Sequence, residues 1–272
     1  MLNAAVLGHP VAHSLSPLLH TAGYRALGLT QWRYAAHDLG ADELGDWVAG
    51  LDDGWRGLSL TMPLKEAAFD VAATASDTAR ATGSVNTLVR RDDLGWDAHN
   101  TDVAGVVHAL AAVDHGGSAT LLGSGATARS AALALVELGV REVRVAARNE
   151  VSGAEVLTIL EDRGVAARLV PLSDWARERT GVCVSTLPAG ASESAGASLH
   201  EVGTTVHGVV LMDVVYADWP TPLARAATLA GMQPMSGIDM LVHQAAEQFR
   251  LFTGHEAPVD AMLVAGQRAV AA

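Results

Sequence analysis

The sequence is short of several things. Of its 272 residues one is a cysteine, Cys183, and only 4% are aromatic. A lone cysteine forms no disulfide within the chain, which fits a reducing compartment. Set in the apolar run 181–184, it reads as a small buried strand residue rather than a nucleophile. With few aromatics and half the residues apolar, the core must be made largely of Ala, Val and Leu. Positive charge is scarce: 18 Lys and Arg stand against 30 Asp and Glu, a net of −12. That excludes the basic face a nucleic-acid partner needs, while a small anion needs only one or two local cations. Lysine is sparse, and most of the basic residues of the first part of the chain are arginine. No uncharged apolar run reaches the roughly 18–20 residues of a membrane helix. The N-terminal segment lacks the basic start and apolar stretch of a signal peptide. The expectation is a soluble, cytoplasmic protein of one large or two medium domains.

What is present is organised around residues 120–130, where an apolar run ends in Gly123-Ser124-Gly125 and an alanine-rich segment follows up to Gly139. This reads as a strand, a tight turn and a helix. Gly123 can take the positive φ such a turn needs. Gly125 lets a pyrophosphate approach the backbone, and the helix N-terminus offers unpaired N–H groups to that anion. Ala128 stands at the third small position of the dinucleotide fingerprint. Before this stretch the patterning predicts strands at 4–7, 32–35 and 57–60 and a hairpin at 87–91 and 95–99. Helices are expected at 17–27, with Ser16 as N-cap, and at 42–51, 66–73 and 76–82. A long helix over 103–113 leads to Gly116-Gly117, the best linker candidate. Beyond it, strands at 119–122, 142–146, 167–170, 182–185, 209–214 and 232–236, with a helix after the glycine turn and another over 154–163, argue a parallel sheet covered on both faces. Helices at 237–253 and 259–271 close the chain.

Several short segments carry candidate chemistry. Ser14 and Ser16 lie between a strand end and a helix start, where hydroxyls beside free helical N–H groups can hold a carboxylate. Alone, they read as a loop residue and a cap. His9 and His13 do not make a metal pair, since Pro10 interrupts any helix between them and no third ligand is near, so no metal is expected. Lys65 follows Thr61-Met62-Pro63-Leu64 past a strand end, where α/β sheets place ligands. It suits acid–base work if a neighbour tunes its charge, and is otherwise a solvated surface residue. Asn86, within 83–87, reads as a polyol partner or a turn residue. Asp102 either charges a helix N-terminus or pairs with Lys65, orienting the amine and keeping its proton available. Such a pair suits oxidation of a secondary alcohol beside a nicotinamide, because hydride leaves carbon only if the hydroxyl proton goes as well. Arg148, about twenty positions past Ala128, suits a 2′-phosphate and so NADP, while nearby Glu150 leaves NAD open. Gln244, on the inner face of an amphipathic helix, either reaches a substrate hydroxyl or packs as an interface amide.

Together with Asp213-Val214-Val215-Tyr216, Thr221-Pro222-Leu223 and Met240-Leu241-Val242-His243-Gln244, these segments resemble, in order and spacing over essentially the whole chain, the shikimate dehydrogenase family. The resemblance implies an α/β fold of two domains with the active site in the cleft between them. One is a substrate-binding and catalytic domain, 1–102 completed by 238–272; the other is a Rossmann-type NADP-binding domain, 103–237. It implies that Ser14 and Ser16 bind the substrate carboxylate and that Lys65 and Asp102 are the catalytic pair. Thr61, Asn86 and Gln244 would bind other hydroxyls or support the site, and Tyr216 would line the cleft near the substrate. Gly123, Gly125, Ala126 and Arg129 would form the dinucleotide loop, Arg148 would meet the 2′-phosphate, and Gly237 and Met240 would lie near the nicotinamide. The implied activity is the reversible, NADPH-dependent reduction of 3-dehydroshikimate to shikimate in chorismate and aromatic amino acid biosynthesis. The implied enzyme is a monomer or homodimer with only small-molecule partners.

Some positions depart from the family's usual pattern. Ser59 and Ser185 stand where Asn is frequent, Ala126 and Val103 where Gly is common, and Ala147 and Asn149 flank Arg148 in place of Asn and Ser or Thr. None removes a catalytic group; they bear on cofactor choice. The alternative is a paralogue acting on quinate with NAD, since one ring hydroxyl more or less is read by a few pocket contacts. A non-catalytic dinucleotide sensor is disfavoured because Lys65 and Asp102 are both retained.

Overall fold

The structure is a computed structural model and describes residues 1–202 and 207–271. The chain divides into two compact units, Met1–Gly105 with Leu241–Ala272, and Val106–Met240. The first unit runs β1 (Leu2–Gly8), α1 (Ser16–Ala26), β2 (Trp32–Asp38), α2 (Leu44–Ala49), β3 (Trp55–Leu60), α3 (Leu64–Ala67), β4 (Thr74–Ala75), α4 (Asp77–Thr82), β5 (Thr87–Arg90) and β6 (Trp96–His99). The division between units falls inside α5 (Asp102–Leu110), ahead of the Gly116-Gly117 turn. The second unit continues with β7 (Ser118–Leu122), α6 (Ala126–Glu137), β8 (Glu142–Ala147), α7 (Glu150–Glu161), β9 (Ala166–Pro171), β10 (Val182–Ser185), α8 (Ala189–Val202), β11 (Val210–Asp213), α9 (Pro222–Leu229) and β12 (Gln233–Ser236). The closing helices α10 (Ile238–Thr253) and α11 (Val259–Val270) belong almost wholly to the first unit.

The first unit is built on a mixed sheet in the order β2-β1-β3-β5-β6-β4. β1, β2 and β3 are parallel; β5 runs antiparallel to β3, and β6 antiparallel to β5. Both faces are covered. Leu7, Leu58, Leu60 and Leu88 pack with Leu44, Val48 and Leu64 on one side, while Ala4 and Trp32 meet Tyr24, Phe249 and Phe252 on the other. Gly57 permits that second contact: a Cβ there would lie 2.0 Å from the Phe252 ring.

The second unit is an all-parallel sheet in the order β12-β11-β10-β7-β8-β9. The strand order reverses between β7 and β10. In open α/β sheets, ligands bind outside the carboxyl ends of the strands at that point. The alanine-rich α6 packs tightly there, with Ala128 through Leu135 buried.

Local differences from the sequence reading have physical causes. Ser16 is not the N-cap: α1 starts at Ser16 after Leu15, and the Ser14 hydroxyl accepts a hydrogen bond from the Ser16 N–H at 3.3 Å. The segments expected as helices at 42–51 and 66–73 break into short α-turns and 3-10 turns, too short for one continuous apolar stripe. Helix α8 lacks the apolar periodicity that announces a helix, being made of Ala, Ser and Gly over most of its length. Helix α9 does carry a start signal, with the Thr221 hydroxyl capping the Ala224 N–H ahead of Pro222.

Candidate active site

The strand order brings together segments far apart in sequence. Lys65 follows the end of β3, Asn86 precedes β5, and Asp102 follows the end of β6. Because β5 is antiparallel to both neighbours, its start and their ends share one edge, with Ser59, Thr87 and His99 in one cross-strand row. Lys65 donates to Asp102 Oδ2 at 2.5 Å, with side-chain exposures of 14% and 7%. Asn86 Nδ2 donates to the other carboxylate oxygen at 2.7 Å, to Thr101 Oγ1 at 2.9 Å and to Gln244 Oε1 at 3.2 Å. The Asp102 N–H is held by Asn100 Oδ1 at 3.0 Å. Both oxygens of the carboxylate are thus occupied. An ammonium carries three protons, and among the described residues that of Lys65 has a single carboxylate partner. Lys65 is also the one lysine in the chain. Burying an ion pair contributes little net stability, so a buried and hydrogen-bonded pair points to chemistry rather than to folding.

The other expected substrate residues in this unit are Ser14, Ser16 and Thr61. Ser16 is buried at the start of α1. Thr61 closes the turn into α3, its carbonyl accepting from the Leu64 N–H at 2.9 Å. Among the described residues no hydrogen bond ties Ser14 or Thr61 to the Lys65 cluster, whereas Ser16 interacts with Tyr34 behind it. Four polar residues behind the cluster are not legible from local sequence: Tyr34, Ser59, Thr87 and Gln248. The nearest signal is that Gln248 lies one helical turn past Gln244, on the same face of α10.

In the second unit the turn after β7 has the geometry of a phosphate loop. Gly123 has φ +110°, and a Cβ there would lie 2.4 Å from Thr186 Oγ1. Gly125 is the N-cap of α6 and caps it with no side chain, and a Cβ at Gly125 would meet nothing within 4 Å. Ser124 is engaged elsewhere, its hydroxyl 2.7 Å from that of Ser152. The helix therefore presents N–H groups to open space, an arrangement that fits a pyrophosphate. Arg129 is buried and pairs with Glu155 at 3.2 Å. Arg148 is exposed after β8 and lines a cavity of about 520 Å³ with Glu150, Pro171, Ser173, Ser194 and Ser198. Gly237 packs against the Val214 carbonyl, Met240 is buried and Tyr216 is half-buried. All three of these belong to this unit. Cys183 lies buried in β10, and burial pushes its thiol up to about 11, which leaves it inert. His9 makes an exposed pair with Asp38. No helix is long and apolar enough to cross a membrane among the described residues.

A doubly wound sheet with a glycine turn at its switch point in the second unit, and a lysine–carboxylate pair held in the first, define a dinucleotide-dependent oxidoreductase. Residues 6–88 match the shikimate dehydrogenase substrate binding domain, and residues 237–263 match the shikimate 5′-dehydrogenase C-terminal domain. A shikimate dehydrogenase (NADP+) of Synechococcus is 35% identical, with 98% of this chain and 95% of the relative covered. The crystal structure of Mycobacterium tuberculosis shikimate dehydrogenase is 44% identical with a TM-score of 0.89, covering 98% of this chain and 100% of that one. The Thermus thermophilus enzyme, solved in complex with NADP(H) and shikimate, is 34% identical with a TM-score of 0.81, covering 99% and 100%. The chain belongs to the shikimate dehydrogenase family.

Proposed function

We propose that the protein catalyses the reversible, NADP-dependent reduction of 3-dehydroshikimate to shikimate, with Lys65 and Asp102 as its acid–base pair. The family membership supports the reaction; the observation that carries the residue assignment is the buried Lys65–Asp102 contact with Asn86 on the second carboxylate oxygen. Bound at the Gly123–Gly125 turn, NADP(H) would supply the hydride for reduction or accept it for oxidation. In reduction, Lys65 as the ammonium donates a proton to the carbonyl oxygen as it becomes a hydroxyl. In oxidation, neutral Lys65 takes that proton back. Asp102 orients the amine and balances its charge, and Asn86 keeps the carboxylate from rotating away. Gln244 offers an amide to a ring hydroxyl. Ser14 and Ser16, at the start of α1, are the candidates for the substrate carboxylate, and Thr61, just past the end of β3, for another hydroxyl or for support of the site. Tyr216 is the further substrate contact assigned from the second unit, and Ala126, Arg129, Gly237 and Met240 complete the assigned cofactor contacts. Arg148 selects the 2′-phosphate of NADP. The buried, unpaired Cys183 suits the reducing cytoplasm assigned to such an enzyme.

Initial rates of NADPH and NADH formation with shikimate and with quinate, for the wild type and Lys65→Ala, test this reading. The expected result is rapid NADP+ reduction with shikimate, near-complete loss in the variant, and shikimate binding largely kept. Full activity in Lys65→Ala overturns the assigned mechanism, and a clear preference for NAD overturns the role of Arg148.

A further inference from the structure

Behind the Lys65–Asp102 pair lies a continuous chain of side-chain hydrogen bonds, buried from Ser59 onward. Tyr34 Oη donates to Ser59 Oγ at 2.6 Å, and Ser59 Oγ to Gln248 Oε1 at 2.7 Å. Gln248 Nε2 donates to Thr87 Oγ1 at 2.9 Å, and Thr87 Oγ1 to Asn86 Oδ1 at 2.8 Å. Asn86 Nδ2 then donates to Asp102 Oδ1 at 2.7 Å.

The direction of these bonds is set by two backbone groups that have no choice of role. The Thr101 N–H can only donate, and it lies 2.8 Å from Asn86 Oδ1. The amide oxygen of Asn86 must therefore face it, and the NH2 must face Asp102. The Asn86 carbonyl can only accept, and it lies 3.1 Å from Gln248 Nε2. The Gln248 NH2 must therefore face Asn86 and Thr87, leaving its oxygen to Ser59. A hydroxyl has one proton. Thr87 receives a bond from Gln248, so its own proton goes to Asn86 Oδ1. Ser59 gives its proton to Gln248, so Tyr34 must donate to Ser59. Burial pushes the Tyr34 phenol well above its ordinary range, so it stays a donor. Every donor points toward Asp102.

We propose that Thr87 and Gln248 are positioning residues. The Thr87 hydroxyl, polarised by Gln248, clamps the Asn86 amide so that its NH2 fixes Asp102 in register with Lys65. The pair acts through Asn86 and touches neither substrate nor cofactor. Thr87 and Gln248 are both buried, so no water replaces a lost link cheaply. The consequence for turnover rests on the function proposed above; the effect on Lys65 does not.

Two substitutions separate hydroxyl from shape. Thr87→Val keeps the branched shape and loses the donor, whereas Thr87→Ser loses a methyl and keeps it. A purely packing role makes Ser the worse replacement. We expect Thr87→Val to lower kcat about tenfold or more, as misplaced catalytic groups do, with KM for shikimate within about threefold. Thr87→Ser should stay within about threefold of wild type in both. Because the chain has one lysine, its side-chain NMR signal is read at fixed pH without assignment ambiguity. That signal should move in Thr87→Val, since a loosely held carboxylate no longer fixes the ammonium in one place, and stay in position in Thr87→Ser. Gln248→Met tests the same link from its other end and should behave as Thr87→Val, so either folded variant suffices. Equal kcat in the Val and Ser variants, or a loss confined to KM, overturns the proposal. If the wild type does not turn over shikimate, the functional reading fails by itself, and an unmoved Lys65 signal in Thr87→Val overturns the relay independently.

Discussion

The two units prepare chemistry in opposite ways. In the first, function is concentrated in side chains: Lys65, Asp102, Asn86, Thr87 and Gln248 are buried or nearly so and linked by directed hydrogen bonds. In the second, the turn at Gly123–Gly125 works through backbone and through the side chains it lacks. The mixed sheet explains the first arrangement, because antiparallel β5 gathers three segment ends on one edge. The parallel sheet explains the second, because its switch point leaves a helix N-terminus facing open space. A site made of side chains is broken by removing atoms. A site made of space is broken by adding them.

The sharpest test of that contrast is Lys65→Ala. Loss of a positioned acid–base group costs about 10²–10⁴ in rate, and kcat should fall by that order, measured at a temperature where the variant, which leaves Asp102 buried without its partner, is still folded. A fall confined to KM would place Lys65 in binding rather than in proton transfer. Next in size is Arg148→Ala. A charge-assisted bond to phosphate contributes about 1.5–3 kcal/mol, so KM for NADP+ should rise about tenfold or more while that for NAD+ stays unchanged. Equal changes for both cofactors would remove Arg148 from the 2′-phosphate site. The glycines come third. Gly123→Ala forces φ +110° on a residue with a Cβ aimed at Thr186, at about 1–3 kcal/mol of stability. Gly125→Ala meets nothing, so its unfolding midpoint should hold while NADP+ affinity drops. If both glycines behave alike in thermal unfolding, the distinction between strained backbone and reserved space is wrong.

These differences also govern what the sequence discloses. Most strands of the two sheets are legible because they are short apolar runs stopped by Gly, Pro or a polar turn, as at 182–185, whereas the two-residue β4 leaves no such run. The glycine turn is legible because its function depends on residues adjacent in sequence. The Lys65–Asp102 contact is legible only as one of two alternatives, since it depends on strand order, which no local pattern encodes. Thr87 and Gln248 are harder still. Their roles come from buried partners on other elements, and a Thr in a strand or a Gln in a helix has many ordinary uses. Helix α8 escapes notice for a different reason, as its Ala, Ser and Gly residues make no apolar stripe.

The smallest expected effect contrasts buried polar groups in the two units. In the second, buried Arg144 is held by the Glu178 and Asp174 carbonyls at 2.7 and 3.0 Å. In the first, His20 is fully buried and stacked on Tyr34 with ring centroids 4.1 Å apart, and only Gln248 opposes the desolvation of its ring. Burial pushes the imidazole down to about 3 from its ordinary 6.5. Between those values the unfolded chain binds a proton that the folded chain refuses, so stability is full above about pH 6.5 and declines as the pH falls toward 3. At pH 5.5 the loss from this group should be about 1.4 kcal/mol. His20→Phe keeps the stacked ring and cannot titrate. Urea unfolding at pH 7.5 and 5.5 should therefore show a smaller acid loss in His20→Phe than in the wild type, by about that amount. The same acid loss in both proteins would mean that His20 is solvated or bonded when folded, and that the first unit tolerates a buried charge as readily as the second tolerates Arg144.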